Sequence, residues 1–120
     1  MSGNRILVVD RNHVCTLVAC EVFAEHGFEA IEAHSGAEAL AAIDRGQPLA
    51  ALVTAVALPA GPDGFAVARH ARAAYPPLQV VYVSGVDPAR HAAEGVAGSV
   101  LIPKPFDPRA VIAALGRAAG

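Results

Sequence analysis

Short apolar runs and segments of helical periodicity follow each other along the whole chain. The apolar runs occupy residues 5–10, 28–33, 49–57, 78–83 and 99–102. The first run is continuous rather than alternating, which is typical of a strand that is buried on both faces. The pattern therefore predicts five strands, of which the third passes into a loop.

Helix signals stand between these runs. Four polar residues lie where a helix should begin and can cap it: Asn12, Ser35 (with Glu38 as a capping box), Asp63 and Asp107. The helix after Asp63 must end before Pro76-Pro77, because a helix cannot continue through that pair. A short fourth helix is predicted between residues 88 and 96. In the first helix, Val14, Leu17, Val18 and Val22 recur at helical spacing.

Strand and helix thus alternate five times, which predicts an α/β fold in one domain spanning residues 1–120. Consecutive strands joined by helices form a parallel sheet with right-handed crossovers and helices on both faces. Ligands of such sheets bind at the carboxyl ends of the strands. The residues that end the predicted strands are therefore the candidates for function.

Composition narrows the class of partner. Hydrophobic residues make up 54% of the chain and charged residues 17%, with a formal net charge of −2 and no basic run. Neither a nucleic-acid nor a membrane-surface partner is indicated, and no stretch is long and apolar enough to span a bilayer. The two cysteines, Cys15 and Cys20, are read as unpaired thiols in a reducing cytoplasm.

The predicted strand ends carry few polar residues. They offer one acid, Asp10, one hydroxyl, Ser84, and one amine, Lys104. By themselves these residues indicate only a small polar site of unknown purpose. No nucleophile and base stand together in the pattern, so the chain is not expected to be an enzyme.

Four motifs in order carry a resemblance to a known family. They are Ile-Leu-Val-Val-Asp at 6–10, the turn-rich loop at 58–64, Val-Val-Tyr-Val-Ser-Gly at 80–85, and Lys-Pro-Phe at 104–106. Together they resemble the receiver domains of two-component response regulators and hybrid histidine kinases. The resemblance implies a flavodoxin-like (βα)5 fold, with a parallel sheet in the order 2-1-3-4-5 between two helix layers.

The resemblance also implies a phosphorylation site, from which this sequence departs. In the family, two adjacent acids hold Mg²⁺ with a phosphoacceptor aspartate, and a hydroxyl and a lysine complete the pocket. Asp10, Ser84 and Lys104 match their positions, whereas Arg11 replaces the second acid and Ala55 the phosphoacceptor. A methyl group accepts no phosphoryl group, and the three metal-holding positions lose their negative charge. We therefore expect neither phosphorylation nor Mg²⁺ binding.

Three further expectations follow from the resemblance. Leu101 stands where the family has its switch aromatic, and the Lys104-Pro105 bond is expected to be cis. Asp10, without its metal, is expected to pair with Arg11 or Lys104. The face of the fourth helix, fifth strand and fifth helix commonly carries the family's partner contacts.

The function indicated by the sequence is that of a pseudo-receiver. It would be a cytoplasmic module that contacts a signalling protein, such as a histidine kinase, without phosphorylation of its own, and the sequence leaves a homodimer open. Two alternatives remain. Asp10 could itself accept the phosphoryl group, or Arg11 and Lys104 could bind an anion or a small ligand.

Overall fold

The computed structural model describes residues 4–85 and 88–119, with side chains as far as residue 115. The strands are β1 (Arg5–Val9), β2 (Glu29–Ala33), β3 (Ala51–Thr54), β4 (Gln79–Val83) and β5 (Val100–Ile102). The helices are α1 (His13–Glu25), α2 (Gly36–Asp44), α3 (Gly64–Ala74), α4 (Pro88–Glu94) and α5 (Pro108–Ala119). In the part of the chain that the structure describes, no helix has the length and apolar character needed to cross a bilayer.

The five strands form one parallel sheet in the order β2-β1-β3-β4-β5, so the predicted flavodoxin-like fold is confirmed. Alternate residues of each strand feed two cores, one on each face of the sheet. Leu7 and Val9 of β1 belong to the core that contains α2 and α3 residues, and Ile6 and Val8 belong to the core with α1 and α5 residues. Helices on both faces explain why the central strands are apolar at successive positions.

The helix starts follow the predicted caps. The side chains of Asn12, Ser35 and Asp63 accept hydrogen bonds from backbone N–H groups in the first turns of α1, α2 and α3. The capping box differs in one detail, because the Glu38 carboxylate accepts from the backbone N–H of His34, 2.9 Å away, rather than from that of Ser35. These bonds satisfy N–H groups that a helix leaves without internal partners.

The orientation of α1 departs from the apolar spacing that predicts the helix. Val14, Leu17 and Val18 are 69%, 53% and 48% exposed. The buried side is formed instead by Thr16, Ala19 and Phe23. Apolar residues occur on both sides of this helix, so spacing alone cannot decide which side meets the sheet. The large Phe23 ring packs inward, and an exposed apolar strip remains outside.

Helix α4 is held mainly by polar contacts, because it carries no buried residue. Arg90 lies 5.2 Å from the centre of the Phe65 ring and 2.7 Å from Glu94. His91 lies 2.9 Å from the Ser99 hydroxyl, at the start of β5. These contacts fasten α4 to α3 and β5 without burying an apolar side chain of the helix.

Both cysteines are free, as the sequence predicts, but they are half-buried rather than fully enclosed. Burial, with a smaller contribution from Glu32, raises the pKa of the Cys20 thiol to about 11. The thiol therefore remains protonated at neutral pH and is a weak nucleophile.

Candidate functional site

The predicted site residues lie at one edge of the sheet, where its strands end. Asp10 follows β1, Ala55 follows β3 and Ser84 follows β4. The backbone N–H of Ala55 donates to the Val9 carbonyl at 2.9 Å, which places Ala55 beside the end of β1. The N–H of Ser84 donates to the Ile102 carbonyl at 3.1 Å, so the β4 and β5 ends are also adjacent.

Asp10 and Lys104 form the closest charge contact at this edge. The Lys104 Nζ lies 2.6 Å from Asp10 Oδ2, and the Asp10 side chain is only 4% exposed. The contact is an ion pair, and Oδ2 accepts no hydrogen bond from the residues that the structure describes. Asp10 Oδ1 accepts a hydrogen bond from the Asn12 N–H at 3.0 Å. The buried carboxylate thus has a positive partner within the chain.

Arg11 does not share this contact. Its side chain is exposed, in a bend before α1, and it forms no ion pair within the described residues. Of the two cations expected to compete for Asp10, Lys104 alone makes the pair. The two cations are therefore not arranged as a clamp around an anion.

Ala55 presents a buried methyl group at the end of β3, where it is 3% exposed. No acid occurs between residues 51 and 60. The loop after Ala55 returns closely to the strand, because the Gly64 N–H donates to the Val56 carbonyl at 2.8 Å. At Gly64, a β-carbon would overlap the Ala55 carbonyl oxygen, so this approach requires glycine.

The donor atoms at this edge do not fit Mg²⁺. A magnesium site needs oxygen ligands with carboxylate charge beside its bound waters, and here the single acid is paired with Lys104. Across residues 4–85 and 88–115, no group of three or more His, Cys, Asp or Glu side chains could hold a metal ion. The chain's own ammonium group lies where it neutralises the carboxylate.

The remaining predicted positions lie in β5 and just after it. The Lys104-Pro105 peptide is cis, as the sequence predicts. Leu101 is half-buried, lies opposite Tyr82 of β4 and packs against the core that contains Tyr82. The Tyr82 ring is fully buried, and its hydroxyl accepts a hydrogen bond from the Val96 N–H at 3.2 Å.

A groove that the sequence did not reveal adjoins the pair. It has a volume of about 500 Å³. Its walls include Val14, Cys15 and Val18 of α1, with Lys104, Phe106 and Pro108 opposite. The unequal burial of the two apolar sides of α1 creates this groove, and no motif marks it in the sequence.

The contribution of the Asp10–Lys104 ion pair to the stability of the fold can be measured. Lys104→Met should lower the free energy of unfolding by about 1–2 kcal/mol, because it leaves a buried carboxylate without a positive partner, an effect reduced by the partial exposure of Lys104. The double variant Asp10→Asn/Lys104→Met should lose less, since no unpaired charge remains. Urea denaturation of these two variants, of Asp10→Asn and of the unaltered chain gives the coupling free energy.

Arg109→Met provides the matched control, because Arg109 pairs with Asp107 only at 3.6 Å and both side chains are mostly exposed. It should leave the unfolding midpoint nearly unchanged. If Lys104→Met behaved like this control, the ion pair would make no measurable contribution to the free energy of unfolding.

Comparison with solved structures finds similar folds. A response regulator receiver protein from Sinorhizobium medicae WSM419 is 30% identical with a TM-score of 0.89, over 97% of this chain and 94% of that one. The receiver domain from the hybrid histidine kinase CckA is 25% identical with a TM-score of 0.81, over 98% and 100%. A Burkholderia pseudomallei response regulator, solved with a phosphorylated aspartic acid, a calcium ion and citrate, shares the fold at 19% identity and a TM-score of 0.81, over 97% and 69%.

No protein-family model matches the sequence, and no curated protein matches it.

Proposed function

Because this chain belongs to the receiver-domain family of response regulators, we propose that it acts in two-component signalling without being phosphorylated itself. The observation that carries the proposal is the buried methyl group of Ala55 at the end of β3. In the family this position supplies the carboxylate that attacks the phosphoryl group. A methyl carbon has no lone pair to offer, so the transfer has no acceptor there.

The charges around Ala55 support the same proposal. The family's metal sits among three carboxylates, whereas this chain has Asp10, Arg11 and Ala55 at the corresponding positions. The net charge of these three positions is thereby zero rather than −3. Lys104 already neutralises Asp10, and its ammonium group repels a divalent cation at the same position. We infer that Mg²⁺ is not a cofactor of this chain.

The output of such a domain is a fixed surface rather than a switch. Helix α4 is fastened by Arg90, which lies over the Phe65 ring of α3, and by His91, which contacts Ser99, and these contacts involve no phosphoryl group. Leu101, at the position of the switch aromatic, has no ring that could rotate. We therefore propose a cytoplasmic interaction module, not an enzyme, whose partner is a histidine kinase or another two-component protein.

The alternative acceptor, Asp10, has less support. Its side chain is almost completely enclosed, and one carboxylate oxygen is held by Lys104 and the other by the Asn12 N–H. An attacking oxygen must approach the phosphorus along an open line. The anion-binding alternative is weakened because Lys104 is turned to Asp10 and Arg11 points elsewhere into solvent.

A phosphorylation assay tests the proposal. The chain is incubated with phosphoramidate or acetyl phosphate and Mg²⁺, and its intact mass is measured at neutral pH. We expect no mass increase after times that fully modify an active receiver run in parallel. An acid-labile, hydroxylamine-sensitive adduct mapped to Asp10 would overturn the proposal and establish the alternative acceptor.

A further inference from the structure

Helix α1 carries an exposed strip that nothing in the phosphorylation pocket uses. Its apolar part consists of Val14, Leu17 and Val18, which are the large hydrophobic residues most exposed in the described structure. Glu21 and Glu25 continue the strip towards the end of the helix and are exposed. At 100° per residue these side chains lie opposite the buried side, so we call them the outer face of α1.

The charges at the two ends of this face oppose the helix's own dipole. Helices favour acids in the first turn and bases in the last, but α1 has neither. Instead Arg11 stands just before the first turn, and Glu21 and Glu25 lie in the last turns. None of these three side chains forms an ion pair with another residue that the structure describes. The arrangement is unfavourable for an isolated helix.

The same arrangement is favourable for two helices that run in opposite directions. We propose that the outer face of α1 binds the outer face of α1 in a second copy of this chain, antiparallel and related by a twofold axis near Val18. With Val18 at the axis, Val14 lies opposite the half-buried Val22 of the second copy, and Arg11 lies opposite Glu25. The contact is therefore self-complementary, as a twofold interface requires.

Each interaction that the isolated helix lacks is supplied by this pairing. The Glu25 carboxylate reaches the positive amino end of the opposing helix, and Arg11 reaches its negative carboxyl end. The exposed valines and Leu17 lose their contact with water. One helix from each copy makes a small interface, so the dimer should be weak and concentration-dependent.

The association does not depend on the proposed function. It requires no phosphoryl group, metal or kinase, and a phosphorylatable chain could form it equally well. A chain that becomes phosphorylated would therefore refute the proposed function and leave the dimer untouched. A chain that stays monomeric would refute the dimer and leave the proposed function untouched.

Sedimentation velocity over a range of concentrations tests the pairing. The unaltered chain should shift towards a dimer as its concentration rises, whereas Val18→Glu should remain monomeric. Ala73→Glu on α3 is the matched control, since it adds the same charge at an exposed position away from α1, and it should dimerise normally. Circular dichroism confirms that each variant is folded.

A charge exchange makes the geometry itself testable. Arg11→Glu places like charges at both ends of the twofold contact, and so does Glu25→Arg, so each variant alone should dimerise at least about tenfold more weakly. An equal mixture of the two should form a heterodimer, because each then offers the charge that the other needs. Added salt should weaken this heterodimer.

Two results would overturn the proposal. The first is an unaltered chain that stays monomeric at every concentration. The outer face of α1 would then bind a different protein or none. The second is a pair of charge variants that dimerise as the unaltered chain does and gain nothing when mixed, because association would then use another surface.

Discussion

The double variant Arg11→Asp/Ala55→Asp should bind Mg²⁺ and become phosphorylated by phosphoramidate, whereas the unaltered chain should do neither. The two changes restore the carboxylates that the family places beside Asp10. Ala55 adjoins the end of β1 through its hydrogen bond to Val9, so a carboxylate there would stand close to Asp10. Three carboxylates hold a divalent cation far better than a single carboxylate that is already paired with Lys104.

Isothermal titration with Mg²⁺ and intact-mass measurement follow the two properties separately. We expect a dissociation constant on the order of millimolar for the double variant, since weak magnesium sites keep most of their waters. Arg11→Asp/Ala55→Asn is the matched control, because the amide has almost the same shape but neither the charge nor the nucleophilic oxygen. Phosphorylation of that control would show that position 55 is not the acceptor.

Gly64→Ala should destabilise the fold by about 3 kcal/mol or more, with a fall in Tm of roughly 10 °C. A β-carbon at this position would overlap the Ala55 carbonyl oxygen and crowd the Val56 backbone. Because backbone atoms of a buried strand end cannot move aside as a flexible side chain can, the loop must shift. The same shift would break the 2.8 Å bond from the Gly64 N–H to Val56.

Gly85→Ala is the control for this prediction. Nothing lies within 4 Å of a β-carbon built at Gly85, and its φ is not in the left-handed region. This change should be neutral, or stabilising by up to about 1 kcal/mol through the unfolded chain. Thermal unfolding followed by circular dichroism compares the two, and equal midpoints would show that Gly64 is not sterically required.

The fold could be predicted from the sequence because helix-capping residues, apolar runs and helical periodicity agree along the chain. Asn12, Ser35 and Asp63 are polar residues at the starts of periodic segments, and all three cap helices. Continuous apolar runs mark strands buried on two faces, and their alternation with helices requires a parallel sheet. The strand order came from the family resemblance, because periodicity does not determine which strands are neighbours.

The side of α1 that faces the sheet could not be predicted from the sequence. Helical spacing finds the helix through Val14, Leu17 and Val18, but these residues are exposed while Thr16 is buried. Thr16 can be buried because its hydroxyl lies 2.7 Å from the Glu32 carboxylate and 3.0 Å from the His13 carbonyl, so its single hydrogen always has an acceptor. The partners of a hydroxyl are tertiary contacts, and no window of sequence displays them.

The choice between Arg11 and Lys104 as the partner of Asp10 was also open in the sequence. Arg11 is the neighbour along the chain, yet the distant Lys104 makes the contact. Adjacent residues that leave a strand diverge, whereas the ends of parallel strands converge at one edge of the sheet. Proximity in space is decided by the sheet, which only the assembled fold provides.

The Lys104 ammonium group has a further consequence for the cell. An ion held by ligands dissociates when its supply falls, so the charge state of such a pocket follows the surrounding medium. The counter-ion of Asp10 is attached to the polypeptide and cannot be diluted, exchanged or removed by a chelator. Together with the proposed loss of Mg²⁺ binding, this covalent attachment predicts that the electrostatic state of the pocket is set when the chain folds and stays constant through changes in free magnesium.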